Sequence, residues 1–300
     1  MYTYTFCLYG DFMDIKAHAK INLALDIVGR RDDGYHLVRM IMQSLELHDT
    51  VSIKKNPSAS EVNKITIHTD SDLVEDNEHN LGYKAARIMC DRFDIKDDID
   101  INIVKRIPVA AGLAGGSSDA AAVLKGMNEL FELGLSTENL QDIGLKLGAD
   151  VPYCIVGHTM LSEGIGEVLT PVPSNLGAAY ILLAKPSRGV STKEVYQEYD
   201  SSEHEIHPDV DAVKEAIESG NLSLLAENLG NVLEDVTIPM VSEIKEIKDK
   251  MLDLGAVGTL MSGSGPTVFG IFDDKDKIDK AVDVIKESFT DTTVISTTCI

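Results

Sequence analysis

The sequence predicts an α+β fold in two domains, and three features indicate it. The chain has 300 residues, more than a single hydrophobic core usually organises. A glycine-rich turn at 108–118 leads from a strand-like pattern into a helical one. The C-terminal half mixes strand and helix patterns in an α+β order. We place the break between the domains after residue 165, which gives domains 1–165 and 166–300.

In the first domain, period-two alternation predicts strands and 3.6-residue periodicity predicts helices. The predicted strands are 14–28, 36–47, 50–54, 65–69, 99–107 and a short one within 158–171. The predicted helices are 80–93, the segment from the glycine-rich turn to about Glu132, and 136–147. Ser136 or Thr137 is expected to cap the last of these helices.

In the second domain, the apolar segment 178–186 predicts a buried strand. Helices are predicted at 209–221, 222–233, 239–254 and 275–289, and the last strand at 292–298. Residues 260–272 predict a strand, a glycine turn and a second strand.

The composition is that of a soluble globular protein, with 44% hydrophobic and 25% charged residues. The net charge is −22, from 27 basic and 49 acidic residues. This charge argues against a nucleic-acid or membrane surface, because both need a basic footprint. An anionic ligand would therefore have to be met by local cations and backbone N–H groups.

The four cysteines, Cys7, Cys90, Cys154 and Cys299, are far apart and form no CxxC pair. Neither a zinc site nor a disulfide framework is predicted, and reduced thiols fit a cytoplasmic location.

The N-terminal residues have no basic region and no small-residue cleavage site, so they do not fit a signal peptide. No apolar run reaches membrane-spanning length. Residues 1–12 precede the first predicted strand, and we expect them to be a dispensable extension.

The glycine-rich turn, PVAAGLAGGSSDAAA at 108–122, is the strongest chemical signal. Glycines let the backbone approach a ligand closely, and a helix N-terminus presents N–H donors to an anion such as a triphosphate. Ser117, Ser118 and Asp119 are positioned to cap the following helix. The turn is neither a Walker A motif nor a GxGxxG fingerprint, so by itself it also fits a structural connector.

Four other segments carry polar groups that have ordinary structural explanations when each is taken alone. AKINL (19–23) places Lys20 and Asn22 on one face of a strand. RRDDGYH (30–36) is a turn followed by an aromatic residue and a histidine, and LGADVPY (147–153) presents Asp150 beside a proline. MSGSGPTVF (261–269) fits a hairpin turn.

In this order, these segments resemble the GHMP kinase superfamily, named for galacto-, homoserine, mevalonate and phosphomevalonate kinases. The GRRDDGYH turn, the lengthened GLAGGSSDAA loop and KPSRGVST with the later Tyr196 are similar to one branch of it. That branch phosphorylates a hydroxyl of a cytidine-diphosphate-linked methylerythritol in the non-mevalonate isoprenoid pathway. The resemblance runs from about residue 14 to residue 272. It implies a ribosomal-protein-S5-like ATP domain and a ferredoxin-like C-terminal substrate domain.

The resemblance implies that Lys20 and Asp150 face each other at the phosphoryl acceptor. A carboxylate orients an alcohol and accepts its proton, and a nearby ammonium keeps that carboxylate ionised and neutralises the transferring group. It also implies ATP and Mg²⁺ as cofactors, with Ser118 or Ser117 near the metal. The implied ATP-binding residues are Asn80, Leu81, Lys105, Pro108, Ala110, Ala111, Gly112, Leu113, Ala114, Gly115, Gly116, Ser117 and Ser118.

On the substrate side, the resemblance implies that Tyr35 and Tyr196 sandwich the cytosine ring and that His36 reads its polar edge. Asn22 would contact the methylerythritol part, and Gly263, Ser264 and Gly265 would close the site. The implied protein is a cytoplasmic monomer or homodimer. Ala111 and Ala114 replace glycines of some members, which we expect to preserve N–H donation if φ stays negative.

Two alternatives remain open from the sequence. One is a GHMP kinase that acts on an uncharged sugar or a homoserine-like alcohol, which would leave the GYH turn and Tyr196 without a purpose. The other is a catalytically silent nucleotide-binding regulator, which would be expected to have lost Lys20 or Asp150.

Overall fold

The computed structural model describes residues 6–9, 11–58, 60, 62–176, 179–201 and 207–300, with side chains from residue 11 onward. The chain forms two compact units that alternate along the sequence. The first unit comprises Met1–Ala19, Leu47–Val109 and Ala114–Gly157, and the second comprises Lys20–Glu46, Ala110–Leu113 and His158–Ile300. The assignment of ATP binding to 1–165 and substrate binding to 166–300 stays a prediction.

The first unit pairs helices with one end of a mixed sheet. Its elements are β1 (Phe6–Tyr9), the start of β2 (Phe12–Arg30), the end of β3 (His36–Asn56), β4 (Ile65–Thr69), α1 (Leu81–Phe93), β5 (Asp98–Val104), α2 (Gly115–Leu130), α3 (Thr137–Gly144) and α4 (Val151–Val156). The end of β3 pairs antiparallel with β5, and β5 pairs parallel with β4.

Alternation and helical periodicity explain this core. Ile99, Ile101 and Ile103 of β5 are buried, while Asp100 and Asn102 between them are exposed. Helix α2 is buried on almost every side because its small residues allow close packing. A Cβ added at Gly126 would lie 2.4 Å from the Ile15 side chain, so this glycine lets α2 approach the sheet closely.

The second unit contains the rest of β2 and β3 and a separate four-stranded sheet. Its other elements are β6 (Thr159–Glu163), β7 (Val168–Pro171), β8 (Tyr180–Lys185), α5 (Thr192–Tyr199), α6 (Val210–Ser219), α7 (Leu222–Asn228), β9 (Gly230–Asn231), α8 (Glu234–Met240), α9 (Glu243–Asp253), β10 (Gly258–Met261), β11 (Val268–Phe272), α10 (Lys275–Ser288) and β12 (Thr293–Thr298). The separate sheet has the antiparallel order β10-β11-β8-β12.

Most predicted elements are present, but several boundaries differ. The strands predicted at 36–47 and 50–54 form one strand, and the segment 158–171 contains two strands. The helix predicted at 239–254 corresponds to α9 and overlaps only the last two residues of α8, and the helix predicted at 222–233 ends at Asn228 before β9. Ala178, the first residue of the strand predicted at 178–186, lies outside the described residues.

Two further expectations concern the N-terminal part of the chain and membranes. Residues 6–9 of the expected extension form β1, which pairs antiparallel with the start of β2. Residues 1–5 and 10 lie outside the described residues, and the dispensability of 1–12 stays a prediction. Across the described residues, every helix is too short or too polar to span a bilayer.

Candidate active site

In the second unit, Lys20 is a buried cation held by two oxygen acceptors. Strand alternation places Lys20 and Asn22 on the same face of β2. The Lys20 Nζ donates to Asn22 Oδ1 at 2.7 Å and to the Gly112 carbonyl at 3.2 Å. Lys20 is only 4% exposed, so its charge is directed into the interior rather than into solvent. The predicted shared face of Lys20 and Asn22 is therefore confirmed.

The segment 110–113 contacts two parts of the second unit. The Lys20 backbone N–H donates to the Leu113 carbonyl at 3.1 Å, and the Ser262 hydroxyl donates to the Gly112 carbonyl at 3.0 Å. Gly112 has a φ of +73°, and a Cβ there would lie 2.1 Å from the Ser262 carbonyl oxygen. Position 112 therefore requires glycine for both conformation and space.

We expect Gly112→Ala to lower the free energy of unfolding by about 2–4 kcal/mol, because left-handed strain adds to overpacking. Gly134 provides the matched control, since its φ is +65° and nothing lies within 4 Å of an added Cβ. Gly134→Ala should cost only about 1–2 kcal/mol, from the backbone strain alone. Urea titrations of both variants measure the difference. Equal losses would contradict the close approach at Gly112.

The turn at Gly263, Ser264 and Gly265 is anchored by residues that the sequence did not indicate. The Asn231 Nδ2 donates to the carbonyls of Met261 and Gly263, both at 2.8 Å. The Thr237 hydroxyl donates to the Ser264 carbonyl at 3.2 Å. A Cβ at Gly263 would lie 3.4 Å from the Lys20 Nζ, so the turn lies beside the buried ammonium.

The backbone of the glycine-rich loop alternates in handedness. Ala110, Gly112 and Ala114 have φ values of +51°, +73° and +58°, whereas the residues between them are not left-handed. The condition of a negative φ is therefore not met at Ala114. Alternation of this kind is typical of backbone nests, in which successive N–H groups face one side; binding of the ATP phosphates by this loop stays a prediction.

In the first unit, α2 begins at Gly115, before the residues that we expected to cap it. The N-cap position is Ala114 and makes no side-chain hydrogen bond, so the capping role predicted for Ser117, Ser118 and Asp119 is wrong. Ser118 is buried, and its hydroxyl donates to the His18 carbonyl at 2.5 Å. The hydroxyl hydrogen is donated in that bond, so the Ser118 Oγ can interact with a further group only as an acceptor.

The starts of α1 and α2 lie close together. Asn80 is the N-cap of α1, and its Oδ1 accepts from the Gly82 backbone N–H at 2.8 Å. A Cβ added at Gly116 would be 3.6 Å from the Leu81 Cδ1, and one added at Gly115 would be 3.5 Å from the Lys105 Nζ. Several residues of the predicted ATP set are thus neighbours within this unit, although their binding role stays a prediction.

Lys105 is buried between two carboxylates that the sequence did not identify as its partners. Its Nζ contacts Asp49 Oδ2 at 2.5 Å and Asp119 Oδ2 at 2.6 Å. Asp49 Oδ1 also accepts from the backbone N–H groups of Arg106 at 2.5 Å and Ile107 at 2.8 Å. Asp49 therefore fixes the chain that leads into the glycine-rich loop.

One ammonium between two buried carboxylates leaves an excess negative charge. Burial raises the pKa of the Asp119 carboxyl; Lys105 opposes this rise and the Asp49 carboxylate adds to it. Burial alone would lower the pKa of Lys105, but the two carboxylates outweigh it and raise that pKa. Asp119 Oδ1 is buried without a hydrogen-bond partner in the described part of the chain, which identifies Asp119 as the weaker-bound carboxylate.

Asp150 occupies the N-cap position of α4, which the sequence did not predict. Pro152 lies in the first turn of this helix, where its missing N–H costs nothing. The Asp150 side chain does not cap the helix. Lys20 belongs to the second unit and Asp150 to the first, and their pairing stays a prediction.

Lys125 is a buried amine on α2 whose Nζ lies 3.4 Å from the Cys154 carbonyl of α4. Burial lowers its pKa from 10.5 to about 8. Between these two values the unfolded chain binds more protons than the folded protein. The contribution of Lys125 to the free energy of unfolding therefore rises with pH across this window.

We expect Lys125→Met to remove this contribution, so its stability relative to wild type should decline by about 3 kcal/mol between pH 8 and 10.5. Urea midpoints at several pH values measure the change. Lys84→Met, at an exposed lysine of α1, is the control and should show no such trend. Parallel profiles for wild type and Lys125→Met would contradict the lowered pKa.

In the second unit, His36 lies beside Tyr196 and an acidic residue that the sequence did not single out. The His36 and Tyr196 ring centroids are 4.8 Å apart. The His36 Nε2 lies 2.6 Å from Asp200 Oδ1. Tyr35 is 58% exposed, and its predicted sandwich with Tyr196 stays a prediction.

Family models match both parts of the chain. The description "GHMP kinases N terminal domain" matches residues 80–158 and "GHMP kinases C terminal" matches 213–291. The 4-diphosphocytidyl-2-C-methyl-D-erythritol kinase of Acetivibrio thermocellus is 51% identical, covering 92% of this chain and 95% of the relative. The protein of the same name from Clostridium botulinum is 48% identical, covering 95% of this chain and all of the relative.

Solved structures agree with these matches. A 4-(cytidine 5'-diphospho)-2C-methyl-D-erythritol kinase is 29% identical with a TM-score of 0.78, covering 95% of this chain and 99% of that chain. A homoserine kinase from Cytophaga hutchinsonii has the same TM-score at 18% identity, covering 99% and 98%, and shows the fold alone. The chain has the two-domain GHMP kinase fold and belongs to the GHMP kinases, within them to the 4-diphosphocytidyl-2-C-methyl-D-erythritol kinase family.

Proposed function

We propose that the protein catalyses the ATP-dependent phosphorylation of the 2-hydroxyl of 4-diphosphocytidyl-2-C-methyl-D-erythritol, a step in non-mevalonate isoprenoid precursor synthesis. The observation that carries this proposal is 51% identity to a kinase of that name across 92% of the chain. Both residues proposed for the chemistry, Lys20 and Asp150, are present. The protein would act in the cytoplasm as a monomer or homodimer.

Asp150 is the proposed base or orienting carboxylate for the acceptor hydroxyl. A tertiary alcohol is a poor nucleophile, so a carboxylate must align it and accept its proton. The buried Lys20 ammonium is proposed to keep Asp150 ionised and to neutralise charge on the transferring phosphoryl group. Phosphoryl transfer depends chiefly on positioning and charge stabilisation, which suits a site with few reactive side chains.

Backbone N–H groups at 110–118 are proposed to hold the ATP phosphates, and Asn80, Leu81 and Lys105 to contact the adenosine part. Ser118 would hold Mg²⁺, which would supply charge neutralisation for the phosphate groups. Ser118 fits a metal site because its hydrogen is donated to the His18 carbonyl, which leaves oxygen lone pairs for a ligand.

Tyr35, His36 and Tyr196 are proposed to recognise the cytosine. Stacking on aromatic rings supplies contact area, whereas hydrogen bonds to the ring edge reject the wrong base. Asn22 is proposed to contact the methylerythritol part, and the turn at 263–265 to close the site.

The test is a substrate panel with ATP and magnesium, in which ADP release is measured. We expect activity with 4-diphosphocytidyl-2-C-methyl-D-erythritol and none with mevalonate, homoserine or galactose. Preferential turnover of one of the other alcohols would instead support a different GHMP kinase. Nucleotide binding without turnover of any acceptor would support a regulator.

A further inference from the structure

The Asp200 carboxylate joins two ends of one hairpin in the second unit. Its Oδ1 lies 2.6 Å from the His36 Nε2, and its Oδ2 lies 3.0 Å from the Arg30 Nη1. Arg30 is the last residue of β2 and His36 is the first residue of β3. One carboxylate therefore fixes both sides of the turn that carries Tyr35.

Asp200 also connects this hairpin to α5. It is the C-cap residue of α5, the helix that carries Tyr196. The His36 ring is close to Tyr196, with centroids 4.8 Å apart, and meets Tyr199 edge-on at 6.5 Å. The His36 side chain is only 13% exposed, so its ring is held from several sides.

The contact with Asp200 decides what His36 can offer to a ligand. A carboxylate is an acceptor, so the His36 Nε2 must carry a hydrogen. In the neutral ring the other nitrogen, Nδ1, is then a hydrogen-bond acceptor. Arg30 pairs with the other oxygen of the same carboxylate at 3.0 Å, so the carboxylate is held between the two side chains.

We propose that Asp200 is a specificity-determining positioning residue, which holds His36 so that Nδ1 accepts a hydrogen bond from the exocyclic amino group of a pyrimidine. The inference rests on the proposed function for the role of His36. An aminopyrimidine such as cytosine donates at this position, whereas uracil presents a carbonyl oxygen there. An acceptor facing that oxygen makes an unfavourable pair, so the arrangement selects cytidine over uridine.

The test compares the binding of CDP and UDP at pH 8 by calorimetry, with wild type, Asp200→Ala, Asp200→Asn and Glu194→Gln. Wild type should prefer CDP. Asp200→Ala should weaken CDP binding by about 10- to 100-fold, as expected for a hydrogen-bonding group left unsatisfied, with little change for UDP. Asp200→Asn retains an acceptor for Nε2 and should recover part of the preference. Glu194→Gln, an exposed residue on the same helix, should resemble wild type.

Kinetics with the cytidine-linked substrate supply a second readout. Asp200→Ala should raise KM by the factor seen for CDP and leave kcat nearly unchanged, because the reacting groups are not altered. Equal losses for CDP and UDP, a fall confined to kcat, or an unchanged CDP preference would each overturn the proposal. A wild type that prefers CDP but does not turn over the substrate would refute the proposed function and leave the role of Asp200 standing.

Discussion

Asp150→Asn is expected to lower kcat by about 10²- to 10⁴-fold, because it removes the proposed proton acceptor. The amide has nearly the same shape and can still contact the hydroxyl, so KM should change little. Steady-state kinetics with the cytidine-linked substrate measure both quantities.

Asp142→Asn is the matched control for this prediction. Asp142 is exposed on α3, and its substitution makes the same change in charge close by in the sequence. This variant should keep the wild-type kcat. If Asp150→Asn also kept it, Asp150 would have no part in the chemistry.

Lys105→Met is expected to lower the free energy of unfolding by about 3–5 kcal/mol, because it leaves two buried carboxylates without their cation. Asp119→Asn should be neutral or stabilising at pH 8, because it removes the excess charge beside Lys105. The double variant Lys105→Met/Asp119→Asn should therefore recover part of the loss. Urea denaturation of the three variants gives the coupling energy between the two sites.

Lys96→Met provides the comparison at the surface. Lys96 pairs with Asp94 where both side chains are largely exposed, so its loss should cost less than about 1 kcal/mol. If Lys105→Met lowered the free energy of unfolding by a similarly small amount, Asp49 and Asp119 would not depend on the Lys105 ammonium for their stability in the folded protein.

The sequence predicted the features that depend on a local pattern of residues. Lys20 and Asn22 share a face because strand alternation is local. Ser136 caps α3 as expected, since its hydroxyl accepts from the Asn139 N–H at 3.3 Å. The family was predicted from the order of several short motifs. Composition and periodicity do not indicate that order.

The sequence did not predict partners that come from distant parts of the chain. Asp49 is separated from Lys105 by 56 positions and Asp200 from His36 by 164. Nothing in their local sequence distinguishes these aspartates from the many solvated acidic residues. Their roles depend on which strands and helices pack together, and only the folded structure supplies that information.

The errors have similarly specific causes. The strand β3 continues through polar His48 and Asp49, since Asp49 is buried and bonded to backbone N–H groups. No helix is predicted at 151–156, although Pro152 lies in the first turn of α4, where proline is favourable. The positive φ of Ala114 is imposed by the loop that contains it. An alanine in the sequence does not indicate a positive φ.

The alternating φ values of the glycine-rich loop limit which residues can replace those at positions 110, 112 and 114, and the limit differs between the positions. Position 112 admits glycine alone, because any Cβ would meet the Ser262 carbonyl. Positions 110 and 114 already accommodate alanine at positive φ, so glycine and asparagine should be accepted, whereas β-branched residues should be rejected. Natural variation in this loop should therefore be most restricted at position 112 and less restricted at positions 110 and 114.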